Sequence, residues 1–504
     1  MYSCYTTLMP KRAAALDLIL PPRDRGKTAQ RWLYSSLRAG ILEGRLRPGS
    51  RLPATRDLAR QCSLSRGTIV SAFEQLASEG YIESSVGCGT YVSKILPEEL
   101  LQVPRRPGAT PPGLLTPRRK LSAYARRLAL FPNLEPRPSR AFRPNLPALD
   151  LFPATLWAQV AARRLRRVSA LNLLGCEPLG YRPLRAALAD YLNASRGLNC
   201  APEQVAIVSG VQEALDLVAR LVLNPGDRVA MEDPGYPGAA MSFEAVGAKI
   251  SALPVDGEGM QLREASLRGA YLVYITPGHQ FPLGMTMSLP RRLQLLEWAR
   301  RSGALILEDD YDGEFRYVGR PVPSLQGLDQ HSLVLFTGSL SKVLFPSLRL
   351  GYLVVPLDLI DSFSAALSIT RRHAPLLEQT VLCDFLTDGH FGRHLRRMRE
   401  VYAERLSVLL ESARQHLAGL LSISGVEAGL QTAAWLAPGL NAESVAAAAR
   451  KRNVEVIPLN WYSIRRNLTE GLQLGFAAVD AKEIRRGVRD LAIALEGETN
   501  VSRR

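Results

Sequence analysis

Five times between residues 205 and 342, a short apolar run stops at a polar, glycine-rich or hydroxyl-bearing segment. Val205-Ala206-Ile207-Val208 leads into Ser209-Gly210-Val211-Gln212, and Val229-Ala230-Met231-Glu232 leads into Asp233-Pro234-Gly235-Tyr236-Pro237. Tyr271-Leu272-Val273-Tyr274-Ile275 leads into Thr276-Pro277-Gly278-His279-Gln280, and Ala304-Leu305-Ile306-Leu307 into Glu308-Asp309-Asp310-Tyr311. Leu333-Val334-Leu335-Phe336 leads into Thr337-Gly338-Ser339-Leu340-Ser341-Lys342. Helical patterns separate these runs, which predicts an α/β body with a largely parallel sheet from about residue 148 onward. Ligands of open α/β sheets bind beyond the carboxyl ends of the strands, so the five segments are expected to converge on one site.

Each segment offers a distinct chemistry. Ser209, Gly210 and Val211 at a helix start present backbone N–H groups and a positive dipole end to an anion. Ser339, with Ser341 nearby, adds hydroxyls, and Arg349, seven residues beyond Lys342, adds a permanent cation for the same phosphate. Lys342 supplies an amine able to hold a phosphate-bearing aldehyde as a Schiff base. Asp309 can pair with a protonated pyridine nitrogen, Tyr311 can donate to a ring hydroxyl, and Tyr236 can stack on the ring. His279 lies in the third segment. Taken singly, Asp309 could be a loop cap, Tyr236 a core aromatic and His279 a surface histidine; their order along one chain favours the shared site.

The charge is unevenly placed. Of 63 Lys/Arg and 47 Asp/Glu, residues 1–147 hold 24 and 10, leaving 39 and 37 for the rest. A basic first third on a near-neutral body is what a polyanion-binding module would show. No apolar run is long enough to span a membrane. Lys11-Arg12 before Ala13-Ala14-Ala15-Leu16 could suggest a secretory leader, but Asp17 interrupts it, and a cytoplasmic location is expected. The six cysteines (Cys4, Cys62, Cys88, Cys176, Cys200, Cys383) include no Cys-x-x-Cys pair, so no disulfide framework and no metal site are expected.

Within the basic third, Leu33, Leu37 and Ile41 recur at helical spacing over residues 28–42. A second helix is expected after a Thr55 cap, and a third after a Ser65 cap, with Ile69, Phe73 and Leu76 on one side. Two short helices so close predict a helix-turn-helix. Alternating Tyr81-Ile82-Glu83-Ser84 and Thr90-Tyr91-Val92 around Gly87-Cys88-Gly89 predict a β-ribbon wing. Ser65, Arg66 and Thr68 at the start of the third helix would meet the major groove, Arg56 the backbone, and Gly89 and Thr90 the minor groove. Ten prolines between Leu96 and Pro147, interspersed with arginine pairs, predict an extended spacer whose arginines make no specific contact.

Gly44-Arg45-Leu46-Arg47-Pro48-Gly49, Leu52-Pro53-Ala54-Thr55-Arg56-Asp57-Leu58-Ala59 and Ser65-Arg66-Gly67-Thr68-Ile69-Val70 resemble the GntR-type winged helix-turn-helix. Thr276-Pro277-Gly278-His279-Gln280-Phe281-Pro282, Glu308-Asp309-Asp310-Tyr311-Asp312 and Ser339-Leu340-Ser341-Lys342-Val343-Leu344-Phe345-Pro346 resemble motifs of the fold-type I aminotransferases. End to end, the chain resembles a MocR-family regulator. The resemblance implies a multi-domain protein: a winged helix-turn-helix at 26–94, a Pro/Arg-rich linker at 95–140 and a pyridoxal-phosphate-binding aminotransferase-like body at 141–498, with a smaller C-terminal α/β subdomain. It implies a homodimer that binds double-stranded operator DNA and carries pyridoxal 5'-phosphate on Lys342. It also implies sensing of that cofactor, or of a small amine or amino-acid-derived effector that forms an aldimine with it.

Three positions depart from the family pattern. Many relatives carry a carboxylate-binding arginine near the C-terminus, where Leu474-Gly475-Phe476-Ala477-Ala478 has none. A tyrosine common before Gly180-Tyr181 is replaced by Gly175, and an arginine that some relatives carry after Tyr236-Pro237 is replaced by Gly238. Losing a bidentate carboxylate partner weakens the alternative reading, a working aminotransferase with an accessory DNA-binding head.

Overall fold

The computed structural model describes residues 20–22, 26, 28–85, 89–95, 120–130, 138–319, 322–423, 425–465 and 469–502. Wing residues 86–88 and spacer residues 96–119 and 131–137 lie outside the described residues. The chain divides into two compact units, the second beginning at Lys120.

In the first unit, α1 (Ala29–Leu42) starts at Thr28, whose side chain accepts the Arg31 N–H, and it buries Leu33, Leu37 and Ile41. α2 (Thr55–Gln61) differs from expectation at its start: Ala54 is the flanking residue, Thr55 is already helical, and no side chain caps it. α3 (Arg66–Ser78) begins as the sequence predicts, with the Ser65 hydroxyl accepting the Thr68 N–H at 3.2 Å. Its buried Ile69, Phe73 and Leu76 join Leu33, Leu37, Ile41 and Leu58 in one small core. Truncating Phe73 to alanine in so small a core would cost about 3–5 kcal/mol. β1 (Ile82–Ser85) and β2 (Gly89–Val92) pair antiparallel from Ile82↔Val92 to Ser85↔Gly89 and form the ribbon.

The second unit is built on β3 (Val205–Val208), β4 (Arg228–Asp233), β5 (Lys249–Asp256), β6 (Gly259–Met260), β7 (Ala270–Ile275), β8 (Leu305–Asp310), β9 (Val334–Ser339) and β10 (Gly351–Val354). Their order is β3-β10-β9-β8-β7-β4-β5-β6. The central pairs β9–β8, β8–β7, β7–β4 and β4–β5 are parallel, whereas β10 runs against both its neighbours and β6 against β5. Alternate residues bury on opposite faces. Leu272, Tyr274, Leu307 and Leu335 pack with Phe243 on one side; Val273, Ile275, Ile306 and Val334 pack with Leu295 and Ala299 on the other. Burial on both faces is why these strands read as continuous apolar runs. β8 and β9 run further than expected, so Glu308, Asp309 and Asp310 are strand residues paired alongside Phe336, Thr337 and Gly338 rather than loop residues.

The C-terminal portion carries a second, antiparallel sheet: β11 (Leu421–Ile423), β12 (Gln431–Leu436), β13 (Ile457–Pro458) and β14 (Gly471–Gly475), ordered β11-β12-β14-β13. The 27-residue helix His390–His416 leads into it and the helix Ala481–Ser502 follows it. Residues 123–127, inside the segment read as a spacer, form a helix held on the body: Tyr124 donates to Asp216 at 3.2 Å and Arg127 to the Ala245 carbonyl at 2.9 Å. Arg127 therefore does make a specific contact. Among the described residues, no helix is long and apolar enough to cross a membrane.

Candidate functional site

Parallel strands β4, β7, β8 and β9 end on one edge of the sheet, and this edge gathers the residues singled out above. Asp309, next to last in β8, is 3% exposed. Its Oδ2 accepts the Tyr274 hydroxyl at 2.7 Å from the neighbouring β7, while its Oδ1 is buried with no partner. Burial raises its pKa from 3.8 to about 7, with the Tyr274 hydrogen bond opposing and Asp310 and Asp312 adding to the rise. An unsatisfied buried carboxylate oxygen is costly, and a protonated ring nitrogen is a group that would satisfy it.

Lys342 lies in a single helical turn that follows β9 and donates to the Asn145 carbonyl at 2.9 Å. Enclosure by protein lowers its ammonium to about 8, against the pull of the Asp312 and Asp309 carboxylates. A lysine of this kind holds far more neutral, nucleophilic amine near neutrality than an exposed one.

Tyr311, one residue past β8, brings its hydroxyl to 2.9 Å from His279 Nδ1, and Asp312 Oδ1 lies at 2.9 Å from the same nitrogen. The Asp312 carboxylate accepts, so Nδ1 carries the proton and Tyr311 keeps its own for another acceptor. The Leu430 N–H fixes the second Asp312 oxygen at 3.2 Å. An aromatic wall stands beside this group: Phe281 packs edge-on against Tyr236, Tyr311 and Tyr462 with centroids 5.5, 5.7 and 5.0 Å apart. Burial is the main force raising the Tyr236 phenol; Asp309 adds to it and Arg349 opposes, so both charges act on this ring.

The segment expected to bind the anion differs in detail from expectation. The helix Val211–Val222 begins after Gly210, whose φ of 103° a residue with a side chain rarely adopts. A Cβ on Gly210 would lie 3.7 Å from the Arg349 guanidinium, so this exposed cation hangs over the helix start. The first-turn N–H groups of Val211 and Gln212 have no acceptor within the helix. The Ser209 N–H is already donated to Glu213 and its Oγ accepts from Arg371 at 2.8 Å, so Ser209 contributes a hydroxyl but not its backbone donor. Ser339 ends β9, buried. Ser341 donates to the Leu350 carbonyl at 3.4 Å, spending its proton there.

Of the residues read as site residues in the body, the structure thus gathers Lys342, Asp309, Tyr311, Tyr236 and His279 on one side, and Ser209, Gly210, Val211, Ser339 and Arg349 at the anion end. Tyr274, Asn145, Asp312, Gln431 and Tyr462 were not foreseen. Asp312 was within the quoted Glu308–Asp312 motif; the others carry no local signal. Gly238 also changes meaning: a Cβ there would stand 2.5 Å from Gln212 Oε1 and 2.6 Å from the Tyr236 ring, so an arginine has no room unless both move.

In the head, Arg56, Ser65 and Arg66 are exposed and Thr68 is half-buried. The Ser65 and Thr68 hydroxyls lie 2.8 Å apart at the mouth of α3. Thr90 pairs its hydroxyl with Ser84 at 3.2 Å across the ribbon, and a Cβ on Gly89 would meet the Arg51 guanidinium at 2.8 Å. Arg51 therefore joins the basic surface by the wing.

The family model "Aminotransferase class I and II" matches residues 155–491, and "Bacterial regulatory proteins, gntR family" matches residues 29–92. The chain is 40% identical over 95% of its length, and 96% of the relative's, to the probable rhizopine catabolism regulatory protein MocR of Rhizobium meliloti. It is 32% identical over 95% of its length to the HTH-type transcriptional regulator TauR of Rhodobacter capsulatus, covering 99% of that protein. Among solved structures, LysN, the alpha-aminoadipate aminotransferase of Thermus thermophilus complexed with N-(5'-phosphopyridoxyl)-L-leucine, matches 71% of this chain and 92% of its own at a TM-score of 0.66 and 31% identity. With both family models matched and a regulator 40% identical over nearly its whole length, the chain belongs to the MocR family of transcriptional regulators, a GntR-type winged helix-turn-helix fused to a fold-type I aminotransferase-like domain.

Proposed function

We propose that this protein regulates transcription by binding operator DNA through residues 26–94 and by reading, through residues 141–498, pyridoxal 5'-phosphate or a small amine that reacts with it. Residues 95–140 join the two, with residues 123–127 of this stretch held on the body. The observation that carries the reading is the Asp309 Oδ1, buried and unpartnered a short way from a lysine of lowered basicity. When bound, the cofactor supplies an aldehyde that condenses with amines and a ring that withdraws electrons.

The chain's own residues have separable tasks. Gly210 and Val211 N–H groups, the Ser209 and Ser339 hydroxyls and Arg349 hold the phosphate, and Ser341 braces the turn that carries Lys342. Asp309 pairs with the ring nitrogen and keeps it protonated, with Tyr274 orienting the carboxylate. Tyr236 covers a ring face. Tyr311, positioned by His279 and Asp312, donates to the ring hydroxyl. Lys342 would hold the cofactor through its amine, the group with which a small amine would compete. Arg66, Ser65 and Thr68 address the major groove, Arg56 the phosphate backbone, and Gly89 with Thr90 the minor groove.

The protein acts in the cytoplasm as a homodimer. Exposed Leu173, Leu174 and Ile369 support the dimer: the two leucines directly precede Gly175, whose added Cβ would meet His373 at 2.5 Å, and Ile369 lies four residues before that histidine, and exposed large apolar side chains favour a partner. An amine shifts regulation only by binding the two arrangements of the regulator unequally.

The test is the full-length protein, pyridoxal-phosphate-loaded, in spectral titration and in binding to the DNA beside its own gene. Lys342→Ala should remove the cofactor-linked absorbance and the amine response while leaving DNA binding in place. An undiminished amine response in that variant would overturn the reading. Steady conversion of an amino acid and a keto acid at rates of about 1 s⁻¹ or more would favour an enzyme instead.

A further inference from the structure

Two glutamines of the C-terminal sheet are buried on the Lys342 side with a donor unspent. Gln431 opens β12 and Gln473 lies in β14; they are 1% and 0% exposed. The register pairs Gln431 with Gly475 and Ala433 with Gln473, so the two glutamines share one face as diagonal neighbours about 7 Å apart. Gln431 Oε1 accepts the Asn145 N–H at 2.8 Å, and Gln473 Oε1 accepts the Tyr462 hydroxyl at 2.7 Å. A backbone N–H can only donate, which settles which end of the Gln431 amide faces Asn145. The Nε2 of Gln473 is buried with no partner, and that of Gln431, though no acceptor meets it in good geometry, faces the Tyr311 hydroxyl. Buried amide donors are rarely left so without a task.

Their neighbours place them at the site. Asn145, which holds Gln431 by its N–H, receives the Lys342 ammonium on its carbonyl. Tyr462, which holds Gln473, packs on Phe281, the ring that also touches Tyr236 and Tyr311. A substituent on an amine bound at Lys342 would meet these two donors.

The donors are uncharged. A carboxylate in so buried a place needs a cation to offset its lost hydration, and the charges acting on Lys342 here are the carboxylates of Asp312 and Asp309. Arg349 stands at the anion end, over Gly210. A second negative group is disfavoured, whereas a hydroxyl or ether oxygen would accept from Nε2 at no electrostatic cost. We infer that Gln431 and Gln473 form a recognition rim for a primary amine bearing hydroxyl or ether oxygens, an amino alcohol or amino sugar rather than an amino acid. This deepens the amine-sensing reading above and rests on it.

The test titrates the loaded full-length protein with 2-amino-1,3-propanediol, glucosamine, propylamine and alanine, read by absorbance and by calorimetry. The hydroxylated amines should bind about tenfold or more tighter than propylamine, the return on one or two neutral hydrogen bonds, with alanine weakest. In Gln473→Leu and, separately, Gln431→Leu, the ratio of hydroxylated amine to propylamine should fall towards one. Gln473→Arg should shift preference towards alanine, which keeps the inference testable if one leucine variant folds poorly. Equal or tighter binding of alanine or propylamine by the parent would overturn this inference alone. Silence towards every amine, propylamine included, would overturn amine sensing itself and this inference with it.

Discussion

Asp309→Asn is expected to stabilise the cofactor-free protein while weakening its hold on pyridoxal 5'-phosphate. A carboxyl whose pKa rises from 3.8 to about 7 on burial costs the folded state about 4 kcal/mol once ionised. The sign follows from the raised value. Below 3.8 the group is protonated in both folded and unfolded chains and costs nothing; the penalty grows with pH and is complete above about 7. Asparagine removes it and can keep the Tyr274 hydroxyl on its oxygen. It leaves an amide N–H₂ where Oδ1 was unpartnered, which costs about 1–3 kcal/mol. The variant should therefore gain about 1–3 kcal/mol at about pH 8 and close to nothing at about pH 5.5, where the relieved penalty is only about 2 kcal/mol. The assay is thermal melting of the cofactor-free full-length chain at both pH values, and a rise of a few degrees at the higher one is expected. Cofactor affinity should drop about 10- to 100-fold with loss of a charge-assisted hydrogen bond. A variant that melts lower at both pH values, or holds the cofactor as tightly as the parent, would refute the assignment of Asp309.

Three further outcomes follow from the same geometry. Because the lowered Lys342 ammonium must lose its proton to react, capture of the cofactor by the free protein should speed up about tenfold per pH unit and level off above about 8; stopped-flow absorbance that keeps climbing past pH 10 would contradict this. Arg349→Gln should weaken pyridoxal 5'-phosphate by about tenfold or more and leave unphosphorylated pyridoxal unaffected, a contrast measurable by fluorescence titration. Arg66→Ala should cost about 1–3 kcal/mol of operator affinity in a gel-shift assay without changing the cofactor spectrum; a base-reading role predicts relaxed sequence preference, whereas a phosphate role predicts a shallower salt dependence.

Much of the architecture was legible because burial writes itself into composition. β3, β4, β7, β8 and β9 are enclosed on both faces, so each appears as an unbroken apolar run, and the polar residue that ends it marks the sheet edge. Lys342, Asp309, Tyr311 and Tyr236 stand out in the sequence for that reason. The start of α2 was misread because a threonine fits either just before a helix or inside its first turn, and only the backbone decides between them. The spacer was misread at residues 123–127 because Tyr124 and Arg127 gain their meaning from Asp216 and Ala245, about a hundred positions away.

The same distance hides the selectivity of the site. Asn145 reaches Lys342 across 197 positions and Gln431 across 286, and in the sequence Gln431 and Gln473 are polar letters in short, mostly apolar strands. From the sequence, Gly238 and the arginine-free stretch from Leu474 to Ala478 look like losses. In the structure they are consistent with one design. The space an arginine would need at Gly238 is filled by Gln212 and the ring of Tyr236, and the amides of Gln431 and Gln473 are neutral, whereas the charges acting on Lys342 are two carboxylates. On the proposed reading, a site that keeps Lys342 and Asp309 and faces them with the neutral amides of Gln431 and Gln473 would hold an amine without gripping an amino acid's carboxylate. Such a site favours capture over transamination, because an amine gripped at one point lacks the second anchor that would align its Cα–H bond for proton removal. On the proposed reading, the chemistry of Lys342 would then serve occupancy, the quantity a DNA-binding head can report.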